Sequence, residues 1–390
     1  MKSKRILAIT GIRSEWDILC PVLKEFEKDS NYEVNVMVSG SHLSNVHGYT
    51  YQHVEKAGFR IVDRVDSLLS TDRVVQRAKG TGLLIFGIAQ TIEREKPDFI
   101  ICVGDREEAI ATAVVANYMN ICMIHLAGGD PVYLNADDPV RFAVSKLAHV
   151  HCTFAEDYAQ NLRKLGEEHF RIICSGNPSL DNIKNTPRIS LQEISSFLNL
   201  DLKDGRYGVV IKHPLSSEKD KSEEQMKLTL EALVKFCNKF DFKFVGTYPN
   251  TDPGASPILD VIKSHESCEN IHFFKTLPHD IFVNLLRNCK VITGNSRMGI
   301  LEAPFYGLPV VNIGNRQSGR LNAGNVIFVK HDIREIIQEL QKACFDERYR
   351  TYVKKLISPY GDGDSAGKIK RFVDTIDPSD NKWLTKHKLI

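Results

Sequence analysis

The chain has 390 residues, of which 42% are hydrophobic and 26% charged, a composition typical of a folded protein with more than one core. Its 51 Lys and Arg residues and 49 Asp and Glu residues leave a net charge of +2, which excludes a whole-chain attraction to nucleic acid or anionic membrane. No apolar run approaches the roughly 18 residues of a membrane-spanning helix, and nine scattered cysteines without CxxC spacing predict reduced thiols in a cytoplasmic protein.

Short apolar runs rich in Ile, Val and Phe alternate with amphipathic stretches along the whole chain. Because these runs are apolar on both faces, they predict strands of parallel sheets that are covered on both sides. The predicted strands are 6–10, 34–39, 99–104, 122–127, 151–154, 172–175, 207–211, 242–247, 271–274, 291–293, 310–313 and 326–329. Helical patterns lie between or after them, at 140–147, 225–239, 280–288, 333–343 and 369–375.

The repeated alternation of strand and helix predicts an α/β protein with two doubly wound, Rossmann-like domains. We expect the first domain to span 1–182 and the second 183–375, followed by a loose polar tail at 376–390. In such a pair of domains, ligands bind at the carboxyl ends of the strands, in the cleft between the sheets. The residues that directly follow each strand are therefore the first candidates for function.

Charged and polar side chains follow the early strands. The turn Thr10-Gly-Ile-Arg13 offers free backbone N–H groups and a forked cation, Arg13, which suit a phosphate group. His42 follows the second predicted strand, where it either contacts a ligand or bonds to the backbone. Asp105 follows the third, where it either serves the reaction or caps the next helix, and Arg106 beside it is a candidate substrate contact.

The fourth predicted strand runs into the sequence His125-Leu-Ala-Gly-Gly-Asp130. Its two glycines let the backbone approach a ligand closely. We expect Asp130 and Asp137 to join the preceding carboxylate in an acidic cluster, which serves as general bases or as metal ligands. His125 beside them is expected to donate a proton or to orient a carboxylate. Capping of the helix at 140–147 is the alternative role of Asp137.

In the second half, His213 follows strand 207–211 and Asn250 lies in the loop after the next strand. Gly294-Asn-Ser296 follows a later strand and opens a helix, whose first turn suits a diphosphate. Glu302, further along, is placed to accept hydrogen bonds from ribose hydroxyls. The alternatives are a plain N-cap for Ser296 and a solvated charge for Glu302. With no GxGxxG or GxxxxGK[ST] motif present, these residues favour a sugar-nucleotide half-site.

Taken in order, these motifs resemble the hydrolysing UDP-N-acetylglucosamine 2-epimerase family of sialic and legionaminic acid synthesis, from residue 4 to about residue 375. The matching segments are Thr10-Gly-Ile-Arg13, Ser39-Gly-Ser-His-Leu43, Gly104-Asp-Arg106, His125-Leu-Ala-Gly-Gly-Asp130, Asp137-Asp138, Arg141, Ser145-Lys-Leu147, His213-Pro214, Tyr248-Pro-Asn250, Gly294-Asn-Ser296, Glu302-Ala-Pro304, Asn312-Ile-Gly314, Arg316-Gln317, Gly319-Arg320 and Pro359-Tyr-Gly-Asp-Gly363. The resemblance implies a glycosyltransferase-B-like arrangement of the two domains.

The resemblance also implies a reaction and the residues that serve it. A carboxylate removes the proton from the carbon bearing the acetamido group while the diphosphate leaves, and hydration of the resulting glycal gives a free 2-epimeric sugar. Proton transfer is assigned in this way to Asp105, Asp130 and Asp137, contacts with the nucleotide or diphosphate to Arg13, His213, Ser296 and Arg316, the ribose to Glu302, and a place in the lining of the site to Asn250. Arg297 and Arg320 are further candidate contacts with the substrate. No cofactor or metal is required, no nucleic acid or membrane takes part, and a homodimer or homotetramer is expected.

Several positions depart from the usual pattern of that family. Ala127 stands where many members carry Glu, Asp130 replaces the commoner Glu, Phe142 replaces a His, and Arg297 replaces a second Ser. These changes gather near the sugar, which leaves the exact substrate open. Three alternatives accompany the hydrolysing epimerase: a non-hydrolysing epimerase that returns the nucleotide sugar, a glycosyltransferase, which the carboxylate pattern disfavours, and a non-catalytic sugar-nucleotide-binding protein, motivated by Ala127.

Overall fold

The computed structural model describes residues 3–45, 48–69, 74–131, 137–250 and 254–386. The chain forms two compact units, each built on its own parallel sheet. Unit 1 comprises Met1–Lys184 and Pro359–Ile390, and unit 2 comprises Asn185–Ser358. The predicted fold class, an α/β protein with two doubly wound domains, is confirmed.

Unit 1 has a seven-stranded sheet of order β3-β2-β1-β4-β5-β6-β7, with every neighbouring pair parallel. Its strands are β1 (Lys4–Thr10), β2 (Tyr32–Ser39), β3 (Arg60–Val65), β4 (Phe99–Val103), β5 (Cys122–Leu126), β6 (Val150–Thr153) and β7 (Ile172–Cys174). Its first helices are α1 (Arg13–Glu27), α2 (Gln52–Lys56), α3 (Val74–Glu95), α4 (Glu107–Met119), α5 (Asp137–Leu147), α6 (Glu156–Lys164) and α7 (Ser179–Asn185). The central strands are buried along their whole length because helices cover both faces of the sheet.

Unit 2 repeats this plan with a six-stranded parallel sheet of order β10-β9-β8-β11-β12-β13. Its strands are β8 (Tyr207–Ile211), β9 (Lys243–Thr247), β10 (Ile271–Phe274), β11 (Ile292–Gly294), β12 (Val310–Ile313) and β13 (Val326–Val329). The remaining helices of the chain are α8 (Leu191–Leu198), α9 (Ser222–Phe240), α10 (Ala255–Ser264), α11 (His279–Asn288), α12 (Met298–Leu301), α13 (Ile333–Phe345) and α14 (Glu347–Lys354), followed by α15 (Ser365–Asp374) and α16 (Asn381–Leu384).

The strand order fixes where loops converge in each unit. In unit 1 the order changes direction between β1 and β4, and in unit 2 between β8 and β11. Loops that leave the carboxyl ends of two such strands lead to opposite faces of the sheet and open a crevice between them. The residues after β1 and β4 therefore lie together in unit 1, and those after β8 and β11 lie together in unit 2.

The C-terminal residues differ from the prediction. The segment from Pro359 onwards was assigned to the second domain and then to a loose tail, yet it packs with unit 1. The buried carboxylate of Asp181 accepts hydrogen bonds from the N–H groups of Ser365 (3.1 Å) and Ala366 (3.0 Å), which anchors the start of α15. Further on, Trp383 of α16 is buried. The polar composition of the tail concealed the buried apolar side chains of Ile376 and Trp383.

All nine cysteines are free thiols. Searching the helices within the described residues gives none that is both long and apolar enough to cross a membrane.

Candidate active site

A buried guanidinium organises the loops that follow β4 and β5 of unit 1. The Nη2 group of Arg141, on α5, donates a hydrogen bond to Oδ2 of Asp105, directly after the β4 turn. The Nη1 group donates to the carbonyl of Ala127 at 2.8 Å and lies 3.5 Å from Oδ2 of Asp130. Arg141 is only 2% exposed. One cation thus holds two of the predicted proton-transfer carboxylates. Arg141 was predicted only as part of a matching motif, without a role of its own.

The two carboxylates differ in their access to solvent. The side chain of Asp105 is 16% exposed, whereas that of Asp130 is 1% exposed. The backbone before Asp130 is tightly packed, since a Cβ on Gly129 would lie 2.3 Å from the carbonyl oxygen of Tyr158. The third predicted carboxylate belongs to Asp137, the first residue of α5, and its side chain falls outside the described part of the chain.

The structure does not place His125 to donate a proton to a substrate. The side chain is fully buried in β5, and its Nε2–H donates to the carbonyl of Gly104 at 2.7 Å. Its Nδ1 faces the hydroxyl of Ser145 at 3.2 Å as an acceptor. Burial lowers the pKa of this imidazole to about 3, so the ring stays neutral. With both nitrogens engaged, His125 is a positioning residue that holds the turn before Asp105.

His42 is likewise a buried, neutral histidine rather than a ligand contact. Its Nε2 lies 3.0 Å from the hydroxyl of Thr10 and its Nδ1 lies 2.8 Å from the hydroxyl of Thr50. Burial lowers the pKa of His42 to about 4. The side chain therefore joins β1 to the segment after β2, which is the backbone-supporting role that the sequence analysis had kept as the alternative.

A second acidic pair lies beside the turn after β1, and sequence analysis did not select it. The N–H of Gly11 donates to Oε2 of Glu15 at 2.8 Å, and a Cβ on Gly11 would lie 1.8 Å from Oε1 of Glu108. Burial, with a contribution from Glu108, raises the pKa of Glu15 to about 8, and burial also raises the pKa of Glu108. The pair retains a proton near neutral pH. Arg106 approaches it, with Nε 3.9 Å from Oε2 of Glu108.

Arg13, at the first turn of α1, is a partly exposed cation of unit 1. Its side chain is 40% exposed, and its Nε lies 4.0 Å from Oδ2 of Asp17, one helical turn further along. A guanidinium beside the backbone N–H groups of a helix start suits an anionic group, which agrees with the predicted role.

In unit 2, the side chain and backbone of Asn295 connect the loops after β8 and β11. Its Oδ1 accepts a hydrogen bond from the N–H of His213 at 2.7 Å, and its Nδ2 donates to the carbonyl of His213 at 2.8 Å. Its own carbonyl accepts from Nη1 of Arg316 at 3.3 Å and from Nε2 of Gln317 at 3.1 Å. Asn295 was not selected from the sequence, although its place directly after β11 was the available signal.

The imidazole of His213 is oriented by the loop after β9. Its Nδ1 accepts a hydrogen bond from the N–H of Asn250 at 3.0 Å, so the neutral ring carries its proton on Nε2. Burial, together with the charges of Arg316 and Lys212, lowers the pKa of His213 to about 3. Three predicted contacts, His213, Asn250 and Arg316, are thus brought together in unit 2.

The other predicted contacts of unit 2 follow β11 and β12. The hydroxyl of Ser296 accepts a hydrogen bond from the N–H of Met298, the first residue of the short helix α12, at 3.4 Å. Arg297 directly precedes that helix and Glu302 directly follows it, both half-buried. Arg320, also half-buried, lies in the loop after β12, and its N–H donates to the carbonyl of Gln317 at 3.4 Å.

A buried lysine is a further cation in unit 2 that the sequence analysis passed over. Lys212, 2% exposed, follows β8, and its Nζ lies 2.9 Å from Nε2 of His331. Burial lowers the pKa of Lys212 to about 7, which the charge of Glu218 partly opposes. Within the described ranges of both units, no group of three or more His, Cys, Asp or Glu side chains is arranged to hold a metal ion.

Comparison with known proteins identifies the family to which the chain belongs. Residues 24–374 match the profile of the family described as UDP-N-acetylglucosamine 2-epimerase, and the chain belongs to that family. The hydrolysing GDP/UDP-N,N'-diacetylbacillosamine 2-epimerase of Campylobacter jejuni is 29% identical, over 89% of this chain and 90% of that protein. The hydrolysing UDP-N,N'-diacetylbacillosamine 2-epimerase of Legionella pneumophila is also 29% identical, over 98% of each chain.

Solved structures give the same fold. The structure of UDP-GlcNAc 2-epimerase from Neisseria meningitidis bound to UDP-GlcNAc has a TM-score of 0.80 to this chain. That similarity covers 95% of this chain and 100% of the other at 20% sequence identity. The family that the motifs predicted is therefore confirmed, together with its fold.

Proposed function

We propose that this protein is a hydrolysing 2-epimerase of a nucleoside-diphosphate-linked 2-acetamido sugar. The proton on C2 is removed while the C1–O bond to the diphosphate breaks, which gives a 2-acetamidoglycal with a C1–C2 double bond and a free nucleoside diphosphate. Water then adds across that double bond, with OH on C1 and H on the opposite face of C2. The products are a free 2-epimeric sugar and the nucleoside diphosphate.

The observation that carries the proposal is the carboxylate–guanidinium–carboxylate cluster of Asp105, Arg141 and Asp130. Removing a proton from C2 and returning one to the other face requires two acid–base groups held in fixed positions. Asp105 is the more exposed of the two and is suited to direct contact with the sugar. The buried Asp130 shares the same guanidinium, and Asp137 is proposed, from its motif alone, to support them.

The proposed leaving-group chemistry belongs to unit 2. A C2–H bond is a weak acid, so its cleavage must be coupled to stabilisation of the charge that develops on the departing diphosphate. Arg316 carries a permanent charge, and the Nε2–H of His213 is a neutral donor already oriented by Asn250. Ser296, Arg297 and Arg320 are proposed to add further contacts, and Glu302 to bind the ribose hydroxyls. Arg13 and Arg106 are proposed to add contacts from unit 1.

The proposed sugar is a 2,4-diacetamido sugar. This choice follows the printed names of the Campylobacter and Legionella relatives, both of which are hydrolysing enzymes for N,N'-diacetylbacillosamine nucleotides. N-acetylglucosamine is the second candidate, because the family description and the Neisseria structure name it. A 4-acetamido group in place of a hydroxyl is a large enough difference for a polar site to discriminate.

Product analysis in deuterated water tests the proposal directly. The purified protein is incubated with UDP-N,N'-diacetylbacillosamine, its GDP counterpart and UDP-GlcNAc, and the products are examined by NMR. We expect a free 2-epimeric sugar carrying one deuterium at C2, released in equal amount with the nucleoside diphosphate.

Each other outcome identifies a rival. A deuterated epimer still linked to its nucleotide indicates a non-hydrolysing epimerase. Binding of nucleotide sugar with neither deuterium exchange nor release indicates a binding protein, the reading motivated by Ala127. Transfer of the sugar to an added acceptor indicates a glycosyltransferase.

A further inference from the structure

The C-terminal segment is built into unit 1 by a buried arginine. Arg171, which has no exposed surface, donates hydrogen bonds to the carbonyl groups of Lys382 (2.7 Å), Trp383 (2.6 Å) and Thr385 (2.7 Å). The indole of Trp383 packs edge-on against Phe170, with ring centroids 5.2 Å apart. Three backbone carbonyls on one guanidinium fix the path of the chain up to Lys386.

Lys386 then reaches the end of the helix that carries Arg141. Its Nζ donates to the carbonyl groups of Ser145 (3.1 Å) and Lys146 (2.8 Å), in the last turn of α5. Carbonyls at a helix C-terminus have no partner within the helix, and a cation there is favoured by the helix dipole. The same Nζ lies 2.7 Å from Oε2 of the buried Glu167, which keeps the ammonium in place.

From this contact a short series of hydrogen bonds leads to the carboxylate cluster. Ser145, whose carbonyl Lys386 binds, presents its hydroxyl to Nδ1 of His125 at 3.2 Å. The other ring nitrogen of His125 donates to the carbonyl of Gly104, the residue before Asp105. Arg141 lies one helical turn before Ser145 on α5 and binds Asp105 directly.

We propose that Lys386 is a positioning residue for the reaction, which acts by fixing the C-terminal turn of α5 and with it the separation of Arg141, Asp105 and Asp130. The kinetic test of this proposal, a change in kcat, rests on the proposed function. A displacement of about 1 Å at reacting groups is enough to cost roughly two orders of magnitude in rate. Because the contacts of Lys386 described above all lie within unit 1, its loss should leave nucleotide affinity unchanged.

The test compares Lys386→Met with Lys386→Arg, which keeps a cation able to reach the two carbonyls. Lys382→Met is the matched control, since Lys382 lies in the same segment but its Nζ lies over the rings of Phe170 and Trp383. We expect Lys386→Met to lower kcat at least tenfold, with KM and the Kd for UDP within twofold of the wild-type values. Lys386→Arg should recover most of the loss, and Lys382→Met should keep the wild-type kcat.

Wild-type kcat in folded Lys386→Met, or an equal loss in Lys386→Arg and Lys386→Met, would overturn the inference. Should Lys386→Met not fold, Ser145→Ala tests the same connection from within α5, and an unchanged kcat there is equally contrary. If the wild-type enzyme turns over none of the nucleotide sugars, the proposed function fails by itself. Amide hydrogen exchange then tests the positioning, which requires faster exchange in the last turn of α5 in Lys386→Met than in Lys382→Met.

Discussion

At the level of single residues, Arg141 does most to define the site in unit 1. A guanidinium offers several donors in one plane, and here they serve Asp105, the Ala127 carbonyl and, at longer range, Asp130. A lysine at the same place has one compact ammonium group and cannot hold three acceptors in this geometry. Any cation at this position would balance the charge of the two carboxylates, but only a guanidinium would hold them in this geometry.

Arg141→Lys should therefore lower kcat by roughly two orders of magnitude while the Kd for UDP stays within a factor of two. Steady-state kinetics and calorimetric titration with UDP measure the two quantities. Arg163→Lys is the matched control, because Arg163 pairs on the surface of α6 with Glu156 and plays no part in the cluster. A variant Arg141→Lys with wild-type kcat would show that only the charge matters.

The residue types at the strand ends were predictable from the sequence, but their roles were only partly so. Asp105 and Asp130 follow parallel strands, so their approach to one another follows from the topology. His125 and His42 also lie at or after the ends of parallel strands, yet each ring lies within the packed interior with both nitrogens hydrogen-bonded. Burial decides the protonation of a histidine, and a sequence does not reveal to which side of the backbone its ring turns.

At the level of elements, strands that are buried on both faces were found to within two residues of their observed bounds, because their apolar runs are continuous. The exception is β3, Arg60–Val65, which was not predicted. It is an edge strand, half-buried at most of its positions, and carries Arg60, Asp63 and Arg64. Charge of this kind protects a sheet edge from further pairing and removes the apolar pattern by which strands are recognised.

One glycine shows how closely two elements of unit 2 approach. Gly294 ends β11 with φ of +115°, and a Cβ there would lie 2.1 Å from the carbonyl oxygen of Ile211 at the end of β8. Gly294→Ala should destabilise unit 2 by more than about 2 kcal/mol and weaken UDP binding at least tenfold, because backbone atoms of the two strand ends must separate.

Gly205→Ala is the matched control for this change. Gly205 also has a positive φ, of +68°, but the nearest atom to a Cβ there is the flexible Lys290 Nζ at 3.9 Å. It should lose only the backbone preference, about 1 kcal/mol, and bind UDP normally. Thermal unfolding and UDP titration of both variants give the comparison, and equal effects of the two substitutions would contradict the argument from close approach.

At the level of the whole molecule, the chain keeps many imidazoles neutral in its interior. Burial lowers the pKa of His125 and His213 to about 3 and that of His42, His149, His151 and His331 to about 4. In the unfolded chain these groups titrate near pH 6.5. Between the folded and the unfolded pKa of each histidine, the unfolded chain binds a proton that the folded chain does not bind. Proton binding therefore favours unfolding in that pH range. Glu15, whose pKa burial raises to about 8, acts in the opposite sense between about pH 4.5 and 8, but it is one group against several.

The contribution of these histidines to the free energy of unfolding should thus be fully retained above about pH 6.5 and fall as the pH is lowered towards 4, because their side chains bind more protons in the unfolded chain than in the folded one. Urea unfolding at pH 7, 6 and 5 measures this, and the slope against pH gives the number of protons taken up, which should be several. His42→Asn should reduce that number by about one. A free energy of unfolding that stays level from pH 7 to pH 5 would mean that the buried imidazoles accept protons without loss of the fold.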